Sequence, residues 1–141
     1  MTARIAVAGV TDQQIDVEAI AAAVGYPAAG AVVTFAGVVR DHDAGKQVAD
    51  LEYHAHPTAD AVVAEVAAEI AERYDIVAIG VQHRTGLLTV GDVALGAAVS
   101  SAHRKEAFAA CAELVDVVKH RLPIWKRQVF ADGTDEWVGS A

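Results

Sequence analysis

Apolar residues recur along this chain with two different periods, and the switches between them predict its elements. Residues 31–39 form a β-branched, apolar run of the kind a buried strand requires. Over residues 48–55, Leu51, Tyr53 and Ala55 alternate with Glu52 and His54, which predicts a second strand with one wet face. The intervening Asp41-His42-Asp43-Ala44-Gly45-Lys46 reads as a loop, so the two strands are expected to make a hairpin. Val62, Val63, Val66, Ile70 and Tyr74 then recur at helical spacing, with Asp60, Glu65, Glu69 and Glu72 on the other faces. That pattern predicts a helix over residues 58–74. Residues 5–8, 76–81 and 93–99 read as further strands, punctuated by Gly86 and by Gly91-Asp92.

End signals complete the outline. Thr11 with Gln14 has the form of a capping box before a helix carrying Ile15, Ala19, Ile20 and Val24, stopped by Gly25 and Pro27. Ser101 is placed to cap a long helix that runs to about residue 121 and ends before Pro123. Residues 125–130 and 136–138 around Asp132-Gly133 read as a terminal hairpin. No repeat or interdomain linker interrupts the chain, so residues 1–141 are expected to form a single α+β domain. It should hold mainly antiparallel sheet, about three helices and a C-terminal hairpin.

Composition narrows the possibilities. Hydrophobic residues make up 54% of the 141, enough for a core that needs no metal or disulfide. Much of that fraction is Ala and Val, whose small side chains each bury little area, so partner contact is expected to supply some stability. A formal charge of −8 argues against a nucleic-acid partner, which needs a basic surface. Six of the 11 Lys and Arg nevertheless fall between Arg104 and Arg127, a concentration suited to a small anion. The single Cys111 excludes an internal disulfide and a Cys-rich metal site. The apolar run over residues 5–10 is too short for a signal-peptide core or a membrane span, which makes a cytoplasmic protein the default.

The long helix from Ser101 carries the most chemistry. Phe108, Cys111, Ala112, Val115 and Leu122 define an apolar stripe, and Lys119 lies inside it. An ammonium there either snorkels to the edge or sits partly desolvated, closer to useful base strength. At the other end, Ser101-Ala102-His103-Arg104 offers backbone N–H groups and two donors to an anion, although solvated first-turn residues look the same. After Pro123, a strand would turn Trp125 and Arg127 one way and Lys126 the other, into a site or into solvent. Arg40, and the pair His83-Arg84, end strands where either a phosphate fork or plain surface decoration is at home. His54 and His56 share a strand face without a third ligand at recognisable spacing, so no metal is expected. Cys111 reads as core rather than nucleophile.

In order and spacing, several stretches resemble the molybdopterin synthase large-subunit family. They are Phe35-Ala36-Gly37-Val38-Val39-Arg40, Leu51-Glu52-Tyr53, His83-Arg84-Thr85-Gly86, Val90-Gly91-Asp92 and Ser100-Ser101-Ala102-His103-Arg104. Ala107-Phe108, Lys119, Pro123-Ile124-Trp125-Lys126, Asp132-Gly133 and Trp137-Val138 continue the series. The resemblance implies a sulfurtransferase with no cofactor of its own. A ubiquitin-like small carrier subunit would bring sulfur as a thiocarboxylate on its C-terminal Gly-Gly. Cyclic pyranopterin monophosphate would receive it twice, forming the dithiolene of molybdopterin. A homodimeric core carrying two carriers, a heterotetramer, is the implied assembly. Lys119 and Lys126 take the catalytic roles by resemblance, and Val38, Val39, Arg40, His103, Arg104, Arg127 and Gln128 the substrate-binding ones. Gln128 stands where the family usually has Glu, His56 where it has Tyr and Thr58 where it has Met, so an ion pair that orients Lys126 is expected to be missing. The alternative from the residues alone is a non-catalytic domain that binds an anion or nucleotide for regulation.

Overall fold

In the computed structural model, residues 3–43 and 45–139 are described; Ala44, within the expected loop, and residues 1–2 and 140–141 lie outside them. The elements follow in the order β1 (Arg4–Thr11), α1 (Val17–Ala23), β2 (Ala31–Val38), β3 (His42–Asp43), β4 (Lys46–Ala55) and α2 (Ala59–Arg73). They continue with β5 (Ala78–Arg84), β6 (Gly86–Thr89), β7 (Val93–Ser101), α3 (Arg104–Arg121), β8 (Ile124–Phe130) and β9 (Asp135–Gly139). One sheet runs β1-β5-β7-β2; the other runs β3-β4-β8-β9, with β6 also paired to β4. The α+β expectation holds: the described residues form three helices, a β8–β9 hairpin and strand pairs that are antiparallel except between β1 and β5. None of the helices among the described residues is long and apolar enough to cross a membrane.

The expected hairpin between residues 31–39 and 48–55 does not form. β2 pairs with β7, from Ala31 opposite Ser101 to Val38 opposite Val93, and β4 pairs with β8. The reason lies in β7, which is buried along nearly its whole length and must have backbone partners on both edges. β5 takes one edge and β2 the other. The exit of β2 is then tied down by Val39 N–H donating to the Asp92 carbonyl and Gly91 N–H to that of Val39. From there the chain crosses to the second sheet, where β3 folds back on Lys46 and Gln47 inside the segment expected to be loop.

Caps differ from the sequence reading too. Thr11 still belongs to β1, and Asp16 caps α1 by accepting from the Ala19 N–H at 3.2 Å. Ser101 still belongs to β7, because it pairs with Ala31; His103 takes the N-cap of α3 without a side-chain bond. The buried face of α3 is Ala107, Ala110, Cys111, Leu114, Val115 and Val118. Phe108, read as the head of the stripe, is 61% exposed. Phe108, Ala112 and Lys119 therefore lie on the shoulder of the buried face, one step round the helix from its centre.

Two cores result. The larger joins α2 and α3 to the first sheet and reaches Leu51, Tyr53, Leu88 and Ile124 of the second. The smaller holds α1 against β5 and β7 through Ile15, Ile20, Val24, Ala78 and Ala98. Close approach of α1 depends on glycine. A Cβ at Gly80 or Gly96 would stand 2.7 Å from the Cγ2 of Ile20 or of Ile15, respectively.

Candidate functional site

A cavity of about 230 Å³ opens where the two sheets meet the C-terminal end of α3. Gly37, Val38, Val39 and Arg40 enter it from the exit of β2, His42 and Asp43 from β3, and Val48, Leu51 and Tyr53 from β4. His83 of β5, Ala94 and Leu95 of β7, Lys119 of α3, and Lys126 and Gln128 of β8 complete the wall. Strand periodicity accounts for β8: Ile124, Gln128 and Phe130 are buried, with half-buried Lys126 on the same face, and Trp125 and Arg127 alternate outward. Helix geometry accounts for Lys119, because the shoulder of the last turn before Pro123 overlooks the cavity.

Burial sets the chemistry of these groups. His83 is 1% exposed, and its Nδ1–H donates to the Arg84 carbonyl at 2.8 Å. Its ring meets Tyr53 edge-on, with centroids 4.8 Å apart. Burial pushes its pKa down to about 4, against the opposing pull of the Arg84 bond and with help from the charge of Lys119. His83 is accordingly a neutral imidazole whose Nε2 carries a lone pair. Burial also raises the pKa of the Tyr53 phenol and lowers that of the Lys126 ammonium. Asp43 counters the effect on Lys126, while Lys119 and Arg40 reinforce it. Cys111 lies in the core, not in the wall, and burial raises its thiol to about 11.

Of the residues singled out from sequence, Val38, Val39, Arg40, Lys119, Lys126 and Gln128 come together in this cavity. Three do not. Arg127 points to the opposite face of β8, where its Nε donates to Asp135 Oδ2 at 2.8 Å. His103 and Arg104 are exposed at the far end of α3. The 15 residues from Arg104 to Lys119 put about 22 Å of helix between them. The cavity also holds Asp43, within the segment expected to be loop, and His83, at a strand end where surface decoration is equally at home.

The consequence expected of Gln128 is also corrected. Its side chain is 2% exposed, and its Nε2 donates to Asp43 Oδ2 at 2.8 Å, so a carboxylate stands beside Lys126 after all. His56 and Thr58 lie ahead of α2 and outside the cavity wall, with the Thr58 N–H donating to His56 Nδ1 at 3.2 Å.

Comparison with known proteins identifies the family. The family model described as "MoaE protein" matches residues 10–121. The molybdopterin synthase catalytic subunit of Bacillus subtilis is 38% identical over 131 residues, covering 92% of this chain and 83% of that protein. The crystal structure of molybdopterin synthase from Staphylococcus aureus superposes with a TM-score of 0.87 at 33% identity, covering 94% of this chain and 96% of that one. A complex of subunits 1 and 2 of the Helicobacter pylori molybdopterin-converting factor shares the fold, with a TM-score of 0.69 at 17% identity over 93% of this chain and 88% of that one. On this evidence the chain belongs to the MoaE protein family, whose members named here are catalytic subunits of molybdopterin synthase, enzymes of molybdenum-cofactor biosynthesis.

Proposed function

We propose that this chain transfers sulfur from the C-terminal thiocarboxylate of a small ubiquitin-like carrier to cyclic pyranopterin monophosphate, forming the dithiolene of molybdopterin. The observation that carries the reading is the convergence of Lys119, Lys126 and Arg40, from three separate elements, on one cavity. An anionic phosphate and the oxyanion that develops at the acyl carbon both require that concentration of positive charge. Lys126, half-buried and with its pKa lowered by burial, is suited to exchange a proton within the reaction, and Lys119 faces it from the helix. Val38, Val39 and Gln128 shape the wall beside them.

His103 and Arg104 fit the same reading only from a second copy of the chain. About 22 Å of helix removes them from their own cavity, so a homodimer would lend them to its neighbour's substrate. Exposed Phe108, one turn further along the same helix, supplies apolar surface for that contact. The small partner is supported by the Helicobacter pylori relative, solved as a complex of two subunits. We place the assembly, a heterotetramer of two such chains and two carriers, in the cytoplasm. Arg127 has no part in the wall and is withdrawn from the substrate-binding set.

The test is reconstitution. The chain mixed with thiocarboxylated carrier and pterin precursor should yield molybdopterin, and a carrier lacking its terminal Gly-Gly should yield none. Phosphate-ligand binding without any carrier-dependent product would sink the proposal in favour of an anion-binding regulatory domain.

A further inference from the structure

Resting on the reading of the cavity as the transfer site, we propose that Asp43 is the positioning residue for Lys126, held opposite its ammonium by the buried amide of Gln128. Among the cavity-lining residues Asp43 carries the only carboxylate, set against the three cations Arg40, Lys119 and Lys126. Three positive groups around about 230 Å³ repel one another, and a half-buried ammonium feels that repulsion most, having little water to screen it.

Geometry fixes where the counter-charge stands. Gln128 and Lys126 are two residues apart on β8 and so share a face. The Gln128 amide is buried, and its Nε2 donates to Asp43 Oδ2 at 2.8 Å, which brackets the carboxylate against the strand that carries Lys126. The other carboxylate oxygen lies 3.5 Å from an Arg40 guanidinium nitrogen. Two of the neighbours of Asp43 are engaged elsewhere. Lys46, its partner across the β3–β4 ladder, sends its ammonium to Asp132 and Thr134, and the His42 ring is taken by Asp41 at 2.6 Å.

The charged groups acting on Lys126 are then Asp43 from β3, Lys119 from α3, Arg40 from the exit of β2 and Glu136 from β9. His83 of β5 faces the same cavity without charge. Glu136 is exposed on an edge strand and screened by water, which leaves Asp43 as the carboxylate that holds Lys126 protonated and in place.

The experiment is an NMR titration of the Lys126 side-chain Cε and Nζ signals in the full chain, with neither carrier nor precursor present. Asp43→Asn keeps the size of the group and removes its charge, and should move the Lys126 midpoint to lower pH. Adding Gln128→Glu to that variant returns a carboxylate from the β8 side of the same bracket and should move the midpoint back. In the transfer assay, whichever limb of the pH profile Lys126 governs should shift to lower pH in Asp43→Asn and return in the double variant. A Lys126 midpoint unmoved by Asp43→Asn overturns the inference and leaves sulfur transfer standing. Wild-type chain without transfer overturns the function, while the titration still decides the role of Asp43. If Asp43→Asn does not fold, Gln128→Met, which cuts the bracket and keeps the charge, should lower the midpoint by a smaller amount, and no movement there also overturns the inference.

Discussion

Acid should destabilise this chain through His83 before its carboxylates titrate. The folded protein holds His83 near pKa 4 because the imidazole is buried, against an ordinary value of 6.5. A histidine with a depressed pKa takes up its proton first in the unfolded state, so unfolding binds protons as the pH falls. The stabilisation is thus fully present above 6.5 and is lost as the pH drops from 6.5 toward 4. Each pH unit of difference is worth about 1.4 kcal/mol, which makes the loss at pH 4 about 3 kcal/mol. With 1% of the residue exposed, no discount for solvent screening applies. Urea midpoints measured across this range on wild type and on His83→Gln would isolate the effect. Glutamine does not titrate and still offers Arg84 a donor, so the variant should lose much less stability across the range. Equal acid slopes in the two proteins would refute the assignment of His83 as a buried neutral imidazole.

Three further outcomes are expected. Lys119→Ala should fold and bind carrier yet lose sulfur transfer by about 100-fold or more in single-turnover assays, because the developing oxyanion loses one of the cations aimed at it from the cavity wall. Cys111→Ala should remain active at a cost of about 1 kcal/mol in stability, and the native thiol, raised from 9.0 to about 11, should react with an alkylating reagent about 100-fold more slowly than an ordinary thiol at neutral pH. A persulfide on Cys111 during turnover, seen by mass spectrometry, would contradict that. Gly80→Ala places a methyl group 2.7 Å from Ile20 Cγ2 and should lower stability by about 1–3 kcal/mol, read as a lower urea midpoint.

What the sequence made legible is what short-range periodicity determines. α2 was readable because Val63, Val66 and Ile70 recur on one face, and all are buried. Lys126 was readable because a period of two in β8 separates it from Trp125 and Arg127. β6 was missed because four residues containing Gly86 and exposed Leu87 give no alternation to read, although β4 supplies their partner. Helical spacing draws the stripe on α3 through Phe108, Cys111, Ala112 and Val115, whereas the buried face is turned one step round to Ala107, Ala110, Cys111, Leu114, Val115 and Val118. Pairing between distant segments has no local signature, which is why β2 was matched to its neighbour in sequence rather than to β7.

The same reasoning explains why the site itself was half visible. Lys119 and Lys126 each sit at an end defined by Pro123, so local rules located both. Asp43 acquires its meaning only from Gln128, 85 residues away, and His83 only from the edge-on Tyr53 and from Lys119. His103 and Arg104 pose the opposite problem. The family resemblance groups them with Lys119, yet all three ride on one helix, a rigid spacer that keeps its two ends apart. If all three serve one substrate, helix rigidity leaves only a second chain to close the distance. Mixing a Lys119→Ala chain with an Arg104→Ala chain tests that requirement. In the mixed dimer one composite site holds both defects and the other neither, so activity should return toward half of wild type. Failure to recover from two inactive variants would mean that Lys119 and Arg104 serve the cavity of one and the same chain, whereas an Arg104→Ala chain active by itself would put Arg104 outside the site.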